Sequence, residues 1–407
     1  MGVSRVNKLN ELIHTLCPDG VEYRSLGELG KFYGGLSGKS KDDFTDGNAK
    51  FITYKNVYSN PALQIDIEDS VKIADGEKQR TLKYGDVIFT GSSETPDECG
   101  ISSVVTEKTE EKLYLNSFCF FFRFDDLKII LPDFAKHLFR SSNLRYQIGK
   151  TASGVTRFNV SKKLMENVII PLPPLEVQSE IVRILDNFTE LTAELTAELT
   201  AELTARKRQY GYYRDFLFVV DDADVEWTTL DRISENCDRQ RKPVTKGSRV
   251  AGKYPYYGAS GIVDYVEEYI FDGDFLLVSE DGANLLARST PIAFSISGKN
   301  WVNNHAHVLK FDTYELRRYV EIYLNSIDLS KYISGGAQPK LNQENLNKIP
   351  IPVPSPERVK YVVSILDRFD TLCHDISEGL PAEIEARQKQ YEYYRDKLLT
   401  FKEVSQC

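Results

Sequence analysis

The chain repeats itself. Residues 170–176 read IPLPPLE and residues 351–357 read IPVPSPE; ILDNF at 184–188 returns as ILDRF at 365–369, and ARKRQYGYYRD at 205–215 as ARQKQYEYYRD at 386–396. All three pairs share one offset of 181, so the matching blocks lie in one register without a gap. A chain built this way has to fold as two related halves, because each copy carries the same hydrophobic pattern and the same punctuation. Upstream the match is looser. Val21-Glu22-Tyr23 and Leu26 correspond to Val225-Glu226-Trp227 and Leu230 at 204, Gly85-Asp86 to Gly273-Asp274 at 188, and Tyr114-Leu115-Asn116 to Trp301-Val302-Asn303 at 187. Each copy is a variable front part followed by a nearly constant back part, and the second front part is 23 residues shorter.

The back parts read as long helices. After Pro171, Pro173 and Pro174, which suit a helix's first turn but not its interior, residues 175–218 contain no proline and only Gly211. Ile181, Ile184, Leu185, Phe188, Leu191 and Leu195 follow three- and four-residue steps, the pattern of one buried face. The second helix is expected to start near Pro356 and to kink at Gly379 and Pro381. Within the first, TAEL occurs three times in succession, at 192–195, 196–199 and 200–203. These are strong helix formers, with Glu202 placed to pair with Arg206. A four-residue period also drifts by ~40° per repeat around the helix, so the tract keeps no single seam and tolerates changes in length. Helix filler and adjustable spacer are both open readings.

The front parts look mixed α/β, with strands expected at 86–90, 118–124, 275–279 and 307–311 and glycine-rich loops between them. The loop ending in Gly38-Lys39-Ser40 is one residue short of a phosphate loop and follows no buried parallel strand. No nucleophile elbow, zinc-protease string or dinucleotide fingerprint occurs. Six scattered cysteines show no metal spacing, and His305 and His307 have no further His or Cys nearby, so no metal is expected. No apolar run approaches the roughly 18 residues a spanning helix needs and no signal-peptide core is present, so the expectation is a cytoplasmic protein without membrane contact.

A net charge of -9 means that nucleic-acid contact has to come from local basic patches. Arg239, Arg241, Lys242, Lys246, Arg249 and Lys253 form such a run with no acid among them, followed by Tyr254, Tyr256 and Tyr257. It reads either as a phosphate-contacting surface or as a solvated basic loop. The first copy offers Lys39 and Lys41, then Lys136, Arg140, Arg145, Lys150 and Arg157.

Two variable domains, each followed by a proline-rich turn of the P-L-P-P-L-E-x-Q kind (Pro171 to Gln178) and a long helix ending in R-x-x-Q-Y-x-Y-Y-R-D, resemble the specificity subunit of type I restriction-modification enzymes. YPYYGASGIVDYV and FDGDFLLVSEDG are similar to that family's target-recognition domains, and the TAEL tract to one branch of it. The second copy departs from the pattern where Val359 replaces the glutamine found at Gln178. The resemblance implies a mixed α+β fold of two target-recognition domains joined by two long antiparallel, coiled-coil-like helices in a pseudo-twofold tandem duplication. The implied divisions are 1–19 (a helix beside the C-terminal one), 20–160, 161–219, 220–340 and 341–407.

It also implies a non-catalytic subunit reading a bipartite target in double-stranded DNA, with the helices setting the spacer. The implied partners are two modification subunits, which carry S-adenosylmethionine, and restriction subunits; no cofactor is expected in this chain. Candidate DNA-contacting residues are Lys39, Lys41, Arg145, Lys150, Arg157, Arg239, Arg241, Lys242, Lys246, Tyr257, Asn284 and Lys340. Candidate docking residues are Tyr210, Tyr213, Tyr391 and Tyr394, which could equally seal the helices against each other. The rival reading is a protein-interaction scaffold with two β-rich modules on a helical arm. A methyltransferase fusion is disfavoured, since no N-P-P-[FY] or D-P-P-[FY] string occurs.

Overall fold

A computed structural model describes residues 2–219, 225–335, 338–374 and 379–404. Two compact units emerge, one of Met1–Glu198 with Ile384–Cys407 and the other of Leu199–Glu383. The first therefore joins the beginning of the chain to its end.

In the first unit, strand Glu22–Ser25 pairs antiparallel with Ile169–Leu172, so the front part starts and finishes on one ladder. Between them an antiparallel sheet has the order Gly30–Gly34, Cys119–Phe124, Val87–Thr90, Ser102–Val104. Side chains alternate faces along a strand, and here both faces are covered. Phe120, Phe122 and Phe124 enter the core formed with helices Pro132–Leu138 and Ser142–Gly149, while Phe121 faces a second cluster around Ile52, Val57 and Leu115. A smaller sheet carries Ala49–Ile52 parallel to Leu113–Leu115. One four-residue stripe of the long helix Leu175–Leu217 (Val177, Ile181, Leu185) is buried in the main core. Leu9 of helix Gly2–Leu16 and Leu399, just after the last helix Leu380–Leu398, close the same core.

The second unit repeats the plan. Glu226–Thr229 pairs with Pro350–Val353, and the main sheet runs Glu235–Asn236, Ala306–Lys310, Phe275–Ser279, Ala293–Ile296. Ala251–Gly258 lies parallel to Lys299–Val302, as Ala49–Ile52 does to Leu113–Leu115. Helix Tyr314–Ser326 packs against helix Pro356–His374 through a core that includes Tyr319, Val320, Val362 and Leu366. The four strands expected from sequence form within a residue of their expected limits at Val87–Thr90, Cys119–Phe124, Phe275–Ser279 and Ala306–Lys310.

The second back part differs from expectation. It is two helices, Pro356–His374 and Leu380–Leu398, and Pro381 lies in the first turn of the latter, where its missing N–H removes no helical bond. Residues 375–378 lie outside the described residues. The departure at Val359 also has a clear basis. Gln178 is buried, its Oε1 accepts from the Leu131 amide at 2.8 Å, and its Nε2 donates to the carbonyls of Pro173 (2.7 Å) and Ile129 (2.9 Å). Val359 sits in the apolar core of the second unit instead. A buried amide needs all its partners and a buried valine needs none, so either choice fills the position.

Candidate nucleic-acid interface

The basic candidates divide sharply into charges held inside and charges facing water. Lys39 donates to Glu77 Oε2 and to the Lys72 carbonyl, both at 2.6 Å, with its side chain only 9 % exposed. That hydrogen bond, with those from Gln79 and the Ala74 amide, brings the Glu77 carboxyl down to about 2. The glycine-rich loop at 34–40 is thereby pinned by its own lysine. Arg145 donates to the carbonyls of Asp97 (2.8 Å), Cys99 (2.6 Å) and Gly100, clamping the loop that follows Ser92–Ser93. Neighbouring Arg140 does the same for Val57, Tyr58 and Ser102, and burial pulls its guanidinium down to about 10.

In the second unit Arg241 bonds Glu280 Oε2 at 2.6 Å and the Ala306 carbonyl at 2.8 Å, and pairs with Asp238 at 3.2 Å. Burial works against the Glu280 charge, yet Arg241 above all brings that carboxyl below its ordinary value. His307, buried beside them, meets Asp238 at 2.6 Å through Nδ1 and the Leu341 carbonyl at 2.8 Å through Nε2. Asp238, Glu280 and His307 converge as metal ligands do. Arg241 and Lys340, the latter 3.1 Å from Glu280, neutralise the set, which makes it a structural ion network. Lys39, Arg145 and Arg241 thus spend their charges on groups of the protein itself and clamp its loops from within.

Tyr257 and Asn284 are placed by the fold as well. Tyr257 packs at the edge of the core around Phe271, Leu277 and Val302, and Asn284 holds its loop through Ser289 and both backbone groups of Thr290. The charges left facing water are Lys41, Lys150 and Arg157 in the first unit and Arg239, Lys242 and Lys246 in the second, while Lys340 is half exposed with its ammonium on Glu280. Lys150 lies 4.2 Å from the Tyr146 ring centroid and Arg157 lies 6.0 Å from that of Phe118. Arg249 is tied to Asp264 and to the Val244 carbonyl, over the Tyr256 ring.

Phe118 was not among the sequence candidates. It is 61 % exposed and lines a cavity of about 690 Å³ with Tyr54, Tyr58, Ser93, Glu98 and Arg157. An aromatic ring inside an apolar stretch such as NSFCFFFRF reads as core from periodicity alone, and only the turn before strand Cys119–Phe124 brings it outside.

The tyrosines also sort by face. Tyr210 lies against the core of the second unit, where burial raises its phenol, and Tyr213 stacks on Phe369 at 5.4 Å. In the first unit Tyr391 bonds Thr189 and Tyr394 stacks on Phe188. The outward members are two others, Tyr212 and Tyr393, 65 % and 62 % exposed and related by the same offset of 181. Helical phase gives the signal, since two residues beyond Tyr210 or Tyr391 is ~200° around the axis.

Residues 18–205 and 224–386 match the family model for the type I restriction modification DNA specificity domain. The chain is 37 % identical over 191 residues to a type I restriction enzyme specificity subunit of Haemophilus influenzae, covering 46 % of this chain and 49 % of that one. It is 35 % identical over 267 residues to the EcoR124I/EcoR124II specificity subunit of Escherichia coli, covering 60 % and 65 %. These alignments span from about half to just under two thirds of the relatives' lengths. Among solved structures, a chain from the assembly and conformational transition of the type I R-M system superposes with a TM-score of 0.64 at 16 % identity, covering 93 % of this chain and 97 % of that one. The HsdS subunit from Thermoanaerobacter tengcongensis superposes at 0.52 and 17 %, covering 94 % and 96 %. Two domain matches, one on each copy of the duplication, show that the chain belongs to the type I restriction-modification DNA specificity family.

Proposed function

We propose that the chain is the non-catalytic, DNA-reading specificity subunit of a type I restriction-modification complex, each unit reading one half of a bipartite target. The observation that carries this is the double construction. One fold occurs twice, with the same closing ladder and the same strand order in the main sheet but different outward side chains, which suits two readers of unlike half-sites. The water-facing cations Lys41, Lys150, Arg157, Arg239, Lys242 and Lys246, with half-exposed Lys340, would contact phosphates and fix register. Exposed Tyr212 and Tyr393, at equivalent places on the two back parts, suit docking of two modification subunits, which would bring S-adenosylmethionine; restriction subunits would complete the nuclease.

The TAEL tract suits a spacer. No residue from 186 to 216 of the long helix is fully buried, and the boundary between the compact units falls at Glu198–Leu199, inside the repeats. The test is to exchange residues 20–155 for those of a relative with another specificity and to map methylation. One half-site should change and the other stay; a change in both, or in neither, would defeat the two-reader scheme.

A further inference from the structure

The hydrogen-bond registers of the two units superimpose one corner of each fold residue by residue. In the first unit Asn116 Oδ1 accepts from the Phe118 amide (2.9 Å), the Gly91 amide donates to the Phe118 carbonyl (2.7 Å), and the Val160 amide to the Gly91 carbonyl (3.0 Å). In the second, Asn303 Oδ1 accepts from the His305 amide (2.8 Å), the Glu280 amide donates to the His305 carbonyl (2.8 Å), and the Leu341 amide to the Glu280 carbonyl (2.8 Å). Ser92 pairs with Asn159 and Ser153 with Asn159; in the other unit Asp281 pairs with Lys340 and Ser334 with Lys340. Backbone for backbone, Phe118 is His305, Ser92 is Asp281 and Asn159 is Lys340.

What the corner shows to solvent differs completely. The first unit presents an exposed ring flanked by Arg157 beside an open cavity. The second presents an imidazole, half exposed, bonded through Nδ1 to Asp281 at 2.9 Å, with Lys340 next to it. A fixed backbone with exchanged chemistry is what two readers of different bases require. An apolar ring suits a thymine methyl, whereas a carboxylate and an imidazole suit amino and carbonyl groups on base edges.

We propose that Phe118 and His305 are the corresponding specificity-determining residues of the two units, each touching a base edge of its own half-site. Asp281 acts as a positioning residue that orients the His305 ring. This rests on the two-reader function proposed above, and the experiment separates the two.

The full chain, co-expressed with its modification subunits, would carry Phe118→Ala, His305→Ala or Asp281→Asn, and genomic DNA would be mapped for methylated motifs. Phe118→Ala should relax one base pair of one half-site, and His305→Ala one base pair of the other, with discrimination falling about ten- to a hundredfold at that position. Asp281→Asn should relax the same base pair as His305→Ala, more weakly. Unchanged motifs in active complexes would overturn the assignment. Where methylation is lost, binding of the purified complex to duplexes substituted at each position decides, and a uniform loss across sequences would equally overturn it. If the exchange of residues 20–155 switches one half-site while these variants do not, the proposed residues fail and the two-reader function stands; if neither acts, that function fails.

Discussion

Phe188 and Tyr394 lie ring over ring, with centroids 5.8 Å apart and planes within 9°, although 206 residues separate them in the chain. The contact ties the head of the long helix to the tail of the last one inside the first unit. Tyr391 reinforces it one turn earlier by bonding Thr189 Oγ1 at 3.1 Å. Replacing Tyr394 by alanine should lower stability by about 1–3 kcal/mol, the cost of a half-buried aromatic and its stacking. Denaturant unfolding of the full chain would register it.

Tyr212 and Tyr393 should behave in the opposite way. Each faces water, so alanine at either should leave unfolding unchanged and weaken association with modification subunits by about 2 kcal/mol or more. Co-purification at equal expression checks this. Retained assembly in the double variant would assign docking to another face.

The basic run of the second unit should split under charge reversal. Lys242→Glu with Lys246→Glu should flatten the salt dependence of DNA binding by the assembled complex, lowering the slope of log K against log salt by about two. Arg241→Glu should destabilise the unit instead. It strips largely buried Glu280 and Asp238 of the cation they share and puts a third carboxylate beside them, a loss of about 3–5 kcal/mol. Thermal unfolding distinguishes the two.

His137 predicts how stability follows pH. Burial pulls its imidazole below the ordinary value, outweighing the Asp186 hydrogen bond at 2.7 Å. The folded state therefore resists protonation that the unfolded chain accepts. Its contribution is fully present above about 6.5 and is lost as pH falls from there through the folded value. Asp186 is held low by His137 and Lys136 against its own burial, so its contribution is lost only at a lower pH, below the ordinary carboxylate range. Urea midpoints measured from pH 7.5 to 5 should decline, and His137→Gln should flatten that decline.

Changing the TAEL copy number should alter spacing and nothing else. One repeat is ~6 Å of helix and ~40° of rotation, near one or two base-pair rises. Variants with two, three and four repeats should recognise the same half-sites with spacers differing by about one base pair each. An identical spacer in all three would reduce the tract to filler.

The duplication, the long helix and the four main strands were legible because each is written as a local period: a 181-residue register, three- and four-residue steps, and short β-branched or aromatic runs. Which candidate side chains face solvent was not. Arg241 and Lys242 are neighbours with the same charge, and nothing near them says that one meets Glu280, 39 positions on, while the other faces solvent. Phe118 and Phe120 are likewise two residues apart in one aromatic run, yet a turn anchored by Asn116 places one outside and the other in the core. Pairing over long separations decides which candidates remain available, and local pattern carries no record of it.

The four-rung ladders that close each front part, Glu22–Ser25 on Ile169–Leu172 and Glu226–Thr229 on Pro350–Val353, are held by main-chain bonds, which depend little on what lies between their strands. Each works as a socket with both contacts side by side. A crossover between related genes that fell at or near these two points would deliver a foreign insert already closed at its base. The frame would have to be matched only where Val177, Ile181, Leu185 and Gln178 meet the insert, so a relative that keeps that packing could supply a new recognition sequence in one genetic event.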